Sequence, residues 1–488
     1  MKLGRVIRGV FKWGVVAVVG LLGLGVIALA IMGVPKPPSI TKEGMGRVGW
    51  SPIVENLGEI RRALGSRSLG TWLPDDRGLT TFVPRRVVDF RLHTISAPGA
   101  EARFASTLPR NLAGFHTDPD RPYVVYQADV GGNEQYQLYR WDLDDAEPIL
   151  LTSGDERAGF GAFEPAGARI AYTSTRRNGS DYDVYVLDPM TPDSDRLVLE
   201  REGAWSVADW SPVGEALLLI RSVSILENEV HRFDLGTGEV TPIWDPAAGA
   251  TYTGSVQYSR DGRTLFYSSD RETEFRHLRS LDLASGEETV LSGAIPWDVT
   301  SIQQSGDGDF LVVGVNEDGR TRYLVHDVTS GTNAPLELPL TGLYSVDLHP
   351  ERALLRVNHT DPTGVSRGYV YDMASGELTH WIGPEPVEAE VPEARLVRFP
   401  TFDSVDGAPR TISAFVYPAV GQGPHPVMLQ IHGGPESQAR LTTSYSMAQK
   451  MGLTVIAPNV RGSTGYGRTF TGLDNGFRRE DSVRDIGA

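Results

Sequence analysis

A triplet of hydrophobic residue, Asp and hydrophobic residue, in most copies followed by Ser/Thr-Gly, returns along this chain at nearly constant steps. Its copies centre on Asp142, Asp188, Asp234, Asp282, Asp327 and Asp372, so the spacings are 46, 46, 48, 45 and 45 residues. A second marker, an aromatic or apolar residue entering a Pro, Asp or Gly turn, keeps the same step. It occurs at Leu73-Pro74, Phe163-Glu164-Pro165, Trp210-Ser211-Pro212, Tyr258-Ser259-Arg260-Asp261-Gly262 and Leu348-His349-Pro350, with weaker copies at Phe115 and Gln304-Ser305-Gly306. Together the two markers define seven units between residues 69 and 383. Runs inside the units, such as Thr264-Leu265-Phe266-Tyr267-Ser268, are short, β-branched or aromatic, and bounded by turns, as strands are. A period near 46 residues with about four strands predicts a seven-bladed β-propeller. The repeated Asp residues read as turn formers whose carboxylates accept turn amides, not as metal ligands. Three Trp-Asp pairs (Trp141-Asp142, Trp244-Asp245, Trp297-Asp298) sit at different phases of the repeat without a partner Gly-His, which argues against a WD-repeat protein. A propeller by itself specifies no chemistry.

Composition narrows the function classes. Of 488 residues, 46 are Lys or Arg and 62 are Asp or Glu, a net charge of −16, which opposes a nucleic-acid partner. The chain has no cysteine, which removes disulfides, thiolate zinc sites, iron–sulfur clusters and a cysteine nucleophile together. With neither His-Glu-x-x-His nor a P-loop, no metal or organic cofactor is implied.

The N-terminus poses a separate question. Lys2, Arg5, Arg8 and Lys12 form a basic segment (1–12) ahead of an uncharged run, 13–35. Residues 14–34 as a helix would span roughly 31 Å, the thickness of a bilayer core. The expectation is a transmembrane signal anchor, with the basic segment cytoplasmic and everything after it extracytoplasmic, periplasmic in a Gram-negative cell. The competing reading is a secreted protein cleaved near Ala30, because Ala28-Leu29-Ala30 fits the small-x-small rule. Within the following stretch, 36–68, the segment Ser51–Arg67 predicts one amphipathic helix with Ile53, Leu57, Ile60 and Leu64 on its apolar face.

After the propeller, an acidic, Pro-rich stretch (384–395) reads as a linker. Beyond it, over 396–488, the pattern changes. Ile412–Tyr417 alternates as an antiparallel strand, and Val427–Ile431 is nearly all apolar, as in a strand buried on both faces. A helix is expected over about Ser444–Met451, then a strand at Thr454–Ala457. The turn Ile431-His432-Gly433-Gly434-Pro435-Glu436-Ser437 follows the first apolar strand, and the run Pro458-Asn459-Val460-Arg461-Gly462-Ser463-Thr464-Gly465-Tyr466-Gly467 follows the second. Glycines at the exit of a strand allow backbone N–H groups to point into a site, as an oxyanion hole requires.

With these two motifs at this spacing behind seven blades, the sequence resembles the prolyl oligopeptidase family of serine peptidases, a propeller followed by an α/β-hydrolase domain. The resemblance implies hydrolysis of short or unfolded peptides, with the propeller gating access. It makes Gly434, Gly433 and His432 the oxyanion-hole candidates. Arg461, Gly462, Ser463, Gly465, Tyr466 and Gly467 become a structural loop. Prolyl oligopeptidases and dipeptidyl peptidases carry Tyr at the position of His432. This chain departs there toward the acylaminoacyl-peptidase-like branch, so proline specificity is not carried over.

The nucleophile of that fold sits in a Gly-x-Ser-x-Gly elbow, followed by Asp and then His. None of the 488 residues forms such an elbow; Ser463 lies one residue out of register in Arg-Gly-Ser-Thr-Gly. The last of the ten histidines is His432, read as a support of the turn and not as a general base. The expectation is therefore a peptidase truncated before its nucleophile and inactive as given, with the triad beyond Ala488. The rival class is an anchored extracytoplasmic propeller that binds partners and carries a degenerate hydrolase remnant. Oligomeric state stays open.

Overall fold

In the computed structural model, residues 66–488 are described except for 75–76, 87–88, 108–110, 119, 144, 146, 153–155, 166, 246–248, 294, 387–390 and 435. The expected membrane span at 13–35 lies outside the described residues. So does the expected helix over Ser51–Arg67, apart from Ser66 and Arg67, which are not helical. The Arg67 amide instead donates to the Ser366 carbonyl at 3.0 Å. Among the described residues, no helix is long and apolar enough to cross a membrane. The described residues belong to one compact unit.

Seven consecutive four-stranded antiparallel sheets occupy residues 69–107, 111–150, 158–199, 204–242, 253–290, 298–335 and 343–382. Each is a meander whose spatial order is its chain order, which makes it a propeller blade. The turn chemistry of the repeat explains the regularity. After the third strand, Asp234 accepts the Gly236 and Thr237 amides at 3.1 and 2.9 Å, and Asp282 those of Ala284 and Ser285 at 3.0 and 2.7 Å. Asp327 and Asp372 repeat the bond, to Ser330 at 2.7 Å and to Ala374 and Ser375 at 2.8 and 3.0 Å. Asp142 differs: its carboxylate takes Arg140 at 2.8 Å.

Alternating strand residues point between blades, and the core is divided accordingly. Tyr123, Val125 and Leu138 of blade 2 pack on Ile170, Tyr172 and Tyr185 of blade 3. Ala171, Val184 and Val186 of blade 3 pack on Trp205, Trp210 and Phe233 of blade 4. Equivalent clusters join blades 1 and 2, 4 and 5, 5 and 6, and 6 and 7. The last interface, between blades 7 and 1, is built from Val370, Leu354 and Trp381 against Leu69, Trp72 and Leu79. No strand is exchanged there. Instead Asn358 brackets Leu69, accepting its amide at 2.7 Å and donating to its carbonyl at 2.8 Å, and Arg356 adds a bond to the same carbonyl at 2.7 Å. A comparable bracket, Asp209 of blade 4, accepts the Tyr258 amide of blade 5 at 2.8 Å.

An eighth sheet follows. Its strands lie in the order Arg395–Val405, Ala408–Tyr417, Thr454–Asn459, Val427–Leu429; the last two are parallel and the other pairs antiparallel. The helix expected over Ser444–Met451 is the shorter Ser446–Lys450, and two more helices, Arg468–Thr471 and Arg479–Ile486, end the chain. Phe415, Tyr417, Val455 and Ala457 form the sheet's own core. One expectation is corrected. The Val427–Ile431 segment is not buried on both faces but lies at the sheet's edge, with Val427, Leu429 and Ile431 exposed by 61, 47 and 43%. Its apolar run suits a central parallel strand, yet among the described residues no strand lies beyond it.

This sheet rests on the turns that join the second and third strands of blades 6 and 7. Leu441 donates to the Gly319 carbonyl at 2.9 Å and Ser446 to the Thr363 carbonyl at 2.8 Å, and Arg398 pairs with Asp318. Gly319 permits the approach: at φ +79° it sits where a Cβ would lie 2.8 Å from the Phe415 ring.

Candidate functional site

His432, Gly433 and Gly434 leave the end of the parallel edge strand as an open turn. Both glycines are exposed, and Gly434 has φ +96°, a left-handed conformation that favours glycine. The turn is anchored from below. The His432 Nε2 atom lies 2.9 Å from the Ser463 hydroxyl, which lies 2.7 Å from the Val460 carbonyl. The 2.7 Å bond commits the single hydroxyl proton to Val460, so the Nε2–H of His432 donates to Ser463; the contact of His432 Nδ1 with the Gly433 carbonyl is longer, at 3.3 Å. A serine–histidine pair at this distance resembles a nucleophile with its base, but the polarity is reversed and Ser463 is fully buried. The pair supports the turn; it does not activate an oxygen.

Further along, the Thr464 amide donates to the Ser437 carbonyl at 2.9 Å. Asn459, at the end of its strand, exchanges two bonds with Ala439, at 2.7 and 3.0 Å, and donates to the Tyr466 hydroxyl at 2.8 Å. That hydroxyl also contacts Ser413 at 2.8 Å, and burial pushes its pKa up to about 12. It is therefore a neutral structural group at any working pH.

The loop from Val460 to Thr471 is held by charge. Arg461 is buried, and its guanidinium bonds Asp485 at 2.9 and 2.7 Å and Asp403 at 3.1 and 2.8 Å. Its backbone amide adds a bond to Asp485 at 2.9 Å. The hydrogen bonds from Arg461 hold the Asp403 carboxyl below the usual range. This one side chain joins the Arg395–Val405 strand, the loop and the Arg479–Ile486 helix. Gly462, Gly465 and Gly467 all have φ near +90° and pack where no side chain would fit. A Cβ on Gly465 would lie 2.4 Å from Asn316 Nδ2, and one on Gly467 2.4 Å from Glu274 Oε1. Beside Gly462, Asp474 is buried with Arg479 Nε at 3.7 Å, and burial pushes its carboxyl up.

Between this loop and blades 4 to 6 lies a cavity of about 340 Å³. Its walls include Tyr252, Arg276, Asp298 and Glu436, with Arg276 paired to Asp298 at 3.0 Å. Arg468 pairs with Asp270 at 3.5 Å, and burial raises the pKa of that carboxyl. Among the described residues no group of His, Asp and Glu could hold a metal ion.

All nine residues singled out in the sequence thus fall in one region. His432 and Ser463 are bonded directly. Gly433 and Gly434 form the exposed turn, and Arg461, Gly462, Gly465, Tyr466 and Gly467 build its support. Sequence reasoning missed Asp403, Asp485, Asn316 and Glu274. Acidic and amide residues in a hairpin turn, near a strand end or on a short helix carry no local signal of a distant partner.

Comparison with known proteins agrees with this architecture. The family model described as the prolyl oligopeptidase N-terminal β-propeller domain matches residues 110–382. Dipeptidyl aminopeptidase BIII of Pseudoxanthomonas mexicana is 23% identical over 376 residues, 72% of this chain and 53% of the relative. The chain thus spans about half the length of that curated protein. Among solved structures, a prolyl endopeptidase superposes with a TM-score of 0.74 at 14% identity, over 89% of this chain and 67% of its own. A puromycin hydrolase gives 0.68 at 18% identity, over 87 and 70%. Prolyl oligopeptidase B of Galerina marginata, solved with a peptide substrate, gives 0.72 at 11%, over 89 and 67%. These overlaps exceed what residues 69–382 alone could supply, so the shared fold runs past the blades. By a family match over more than half its length, the chain belongs to the prolyl oligopeptidase family.

Proposed function

We propose that residues 396–488 are the first part of an α/β-hydrolase domain and that the whole protein is a serine peptidase acting on short or unfolded peptides. The observation that carries this reading is the His432–Gly434 turn. It directly follows a parallel strand, is exposed, has a left-handed glycine, and is fixed by a histidine that donates to a buried serine. In this reading the Gly434 amide, with Gly433 beside it, stabilises the oxyanion formed when a serine attacks the peptide carbonyl. The histidine that takes the serine proton and the carboxylate that orients it are not among these 488 residues. The polypeptide 1–488 alone does not hydrolyse peptides or esters. The propeller caps the site and limits access to small or extended substrates, which reach the turn beside the cavity above blades 4 to 6. The basic segment 1–12 and the uncharged run 13–35 support a membrane anchor with the remainder extracytoplasmic.

The test is to read the encoding DNA past codon 488 and to express the polypeptide through it. An in-frame Gly-x-Ser-x-Gly within roughly forty codons is expected. The longer polypeptide then cleaves a short peptide anilide and takes a fluorophosphonate label on that serine. Absence of the motif, or an inert longer polypeptide, overturns the reading in favour of a binding propeller.

A further inference from the structure

Four residues outside the segment hold the described part of 432–439 by hydrogen bonds. His432 donates to Ser463, Thr464 donates to Ser437, and Asn459 brackets Ala439. Those three holds come from the same sheet and its loop. The fourth comes from the propeller: Asn316 Nδ2 of blade 6 donates to Gln438 Oε1 at 2.8 Å. Asn316 is only 4% exposed, and its own Oδ1 accepts the Gly319 amide at 3.1 Å. Its carboxamide is thus locked from both ends, one in the blade and one in the segment that follows the His432–Gly434 turn. It also lies against Gly465, two residues from the serine that carries His432. The same hairpin continues along the chain that leaves the turn, through Arg440 to Thr321 at 2.7 Å and Leu441 to Gly319 at 2.9 Å.

We propose that Asn316 is a positioning residue for the His432–Gly434 turn: the blade 6 hairpin sets the turn's geometry by gripping Gln438 and wedging Gly465. The propeller then shapes the oxyanion site in addition to limiting access to it. This rests on the reading of the turn given above, but it is testable without hydrolysis. The physical basis is that a buried hydrogen bond removed from one side leaves a buried polar group unpaired. The free energy of local opening then falls for the segment it restrained.

The experiment compares the full chain with Asn316→Ala and Gln438→Ala, singly and together, by amide hydrogen exchange and by 15N-histidine spectra. The His432 signal is assigned by its loss in His432→Gln. In the wild type His432 should show one fixed Nε2–H tautomer. Each single substitution should speed exchange over 432–438 and 462–467 roughly five- to tenfold and average the His432 tautomers. Blade 6 strands should keep native exchange in Gln438→Ala, which leaves the Asn316–Gly319 bond intact. The double variant should match the singles, since both delete one contact. Gln438→Glu, which retains an acceptor for Asn316, should restore both readouts. The proposal is overturned if exchange rises only around 316–321, if the His432 tautomer is unmoved in both single variants, or if the effects add. Asn316→Ala could open blade 6 itself; Gln438→Ala then decides alone, and native exchange over 432–438 in that variant refutes the proposal. Failure here leaves the oxyanion reading standing, and failure of the downstream Gly-x-Ser-x-Gly leaves this coupling standing.

Discussion

Replacing Arg461 by Lys leaves a single ammonium to serve two carboxylates that now receive a planar fork, and Asp485 is 1% exposed. A buried partner stripped of its cation is costly, and Lys cannot copy the bidentate geometry. Arg461→Lys should therefore destabilise the protein by about 3 kcal/mol, read from denaturant midpoints, with the Arg395–Val405 strand loosened first. Ser463 gives the opposite kind of expectation. Because its proton is committed to Val460, a fluorophosphonate should not label Ser463; a label there would reverse the polarity argued above. Ser463→Ala should cost about 1–3 kcal/mol, the penalty of leaving a buried partner unmatched. At this scale the glycines and His432 were legible because their spacing after a strand is itself a chemical statement. Asp403 and Asn316 were not, since nothing near them in sequence distinguishes a residue bonded within its own hairpin from one that also holds a segment far along the chain.

Strands and turns follow the sequence where the determinant is local. In every hydrophobic–Asp–hydrophobic triplet except that of Asp142, the Asp side chain accepts a turn amide within three residues, so the blades could be counted from sequence. The Val427–Leu429 strand shows where this stops: an apolar run reports that cover is wanted, while its edge position depends on which strands pair with it from far along the chain. Between blades 4 and 5 the bracket through Asp209 adds a pH dependence. Burial opposes ionisation and raises its carboxyl to about 6 despite amide bonds from Tyr258 and Trp210. The native state thus keeps this proton to a higher pH than the unfolded chain does. The contribution of Asp209 to stability is greatest below the unfolded carboxyl pKa and declines as pH rises through about 6. The stability gap between wild type and Asp209→Ala should be larger at pH ~4.5 than at pH ~7.5, by about 1–2 kcal/mol. A gap that widens as pH rises would show that the ionised form is the favoured one.

For the whole molecule, residues 396–488 are expected to stay with the propeller when the connection between them is cut. Hairpins of blades 6 and 7 hold the eighth sheet and its helix, and that of blade 5 holds the loop at Arg468 and Thr469, through bonds that do not involve the 384–393 stretch. After cleavage within that stretch the two pieces should co-elute on a sizing column; separate peaks would mean the interface is too weak to hold them. Topology has its own check: a tag after residue 488 should be protected from a membrane-impermeant reagent added on the cytoplasmic side, and labelling from that side would refute the anchor's orientation. The interface between blades 7 and 1 has a further consequence. It is made of the same kinds of contact as the other six, and the polypeptide enters and leaves the ring beside it. Where the ring starts is therefore an accident of genetics, not a requirement of the architecture. A gene rearranged so that translation began at any other blade, with the old ends joined, would encode the same seven contacts in a new order.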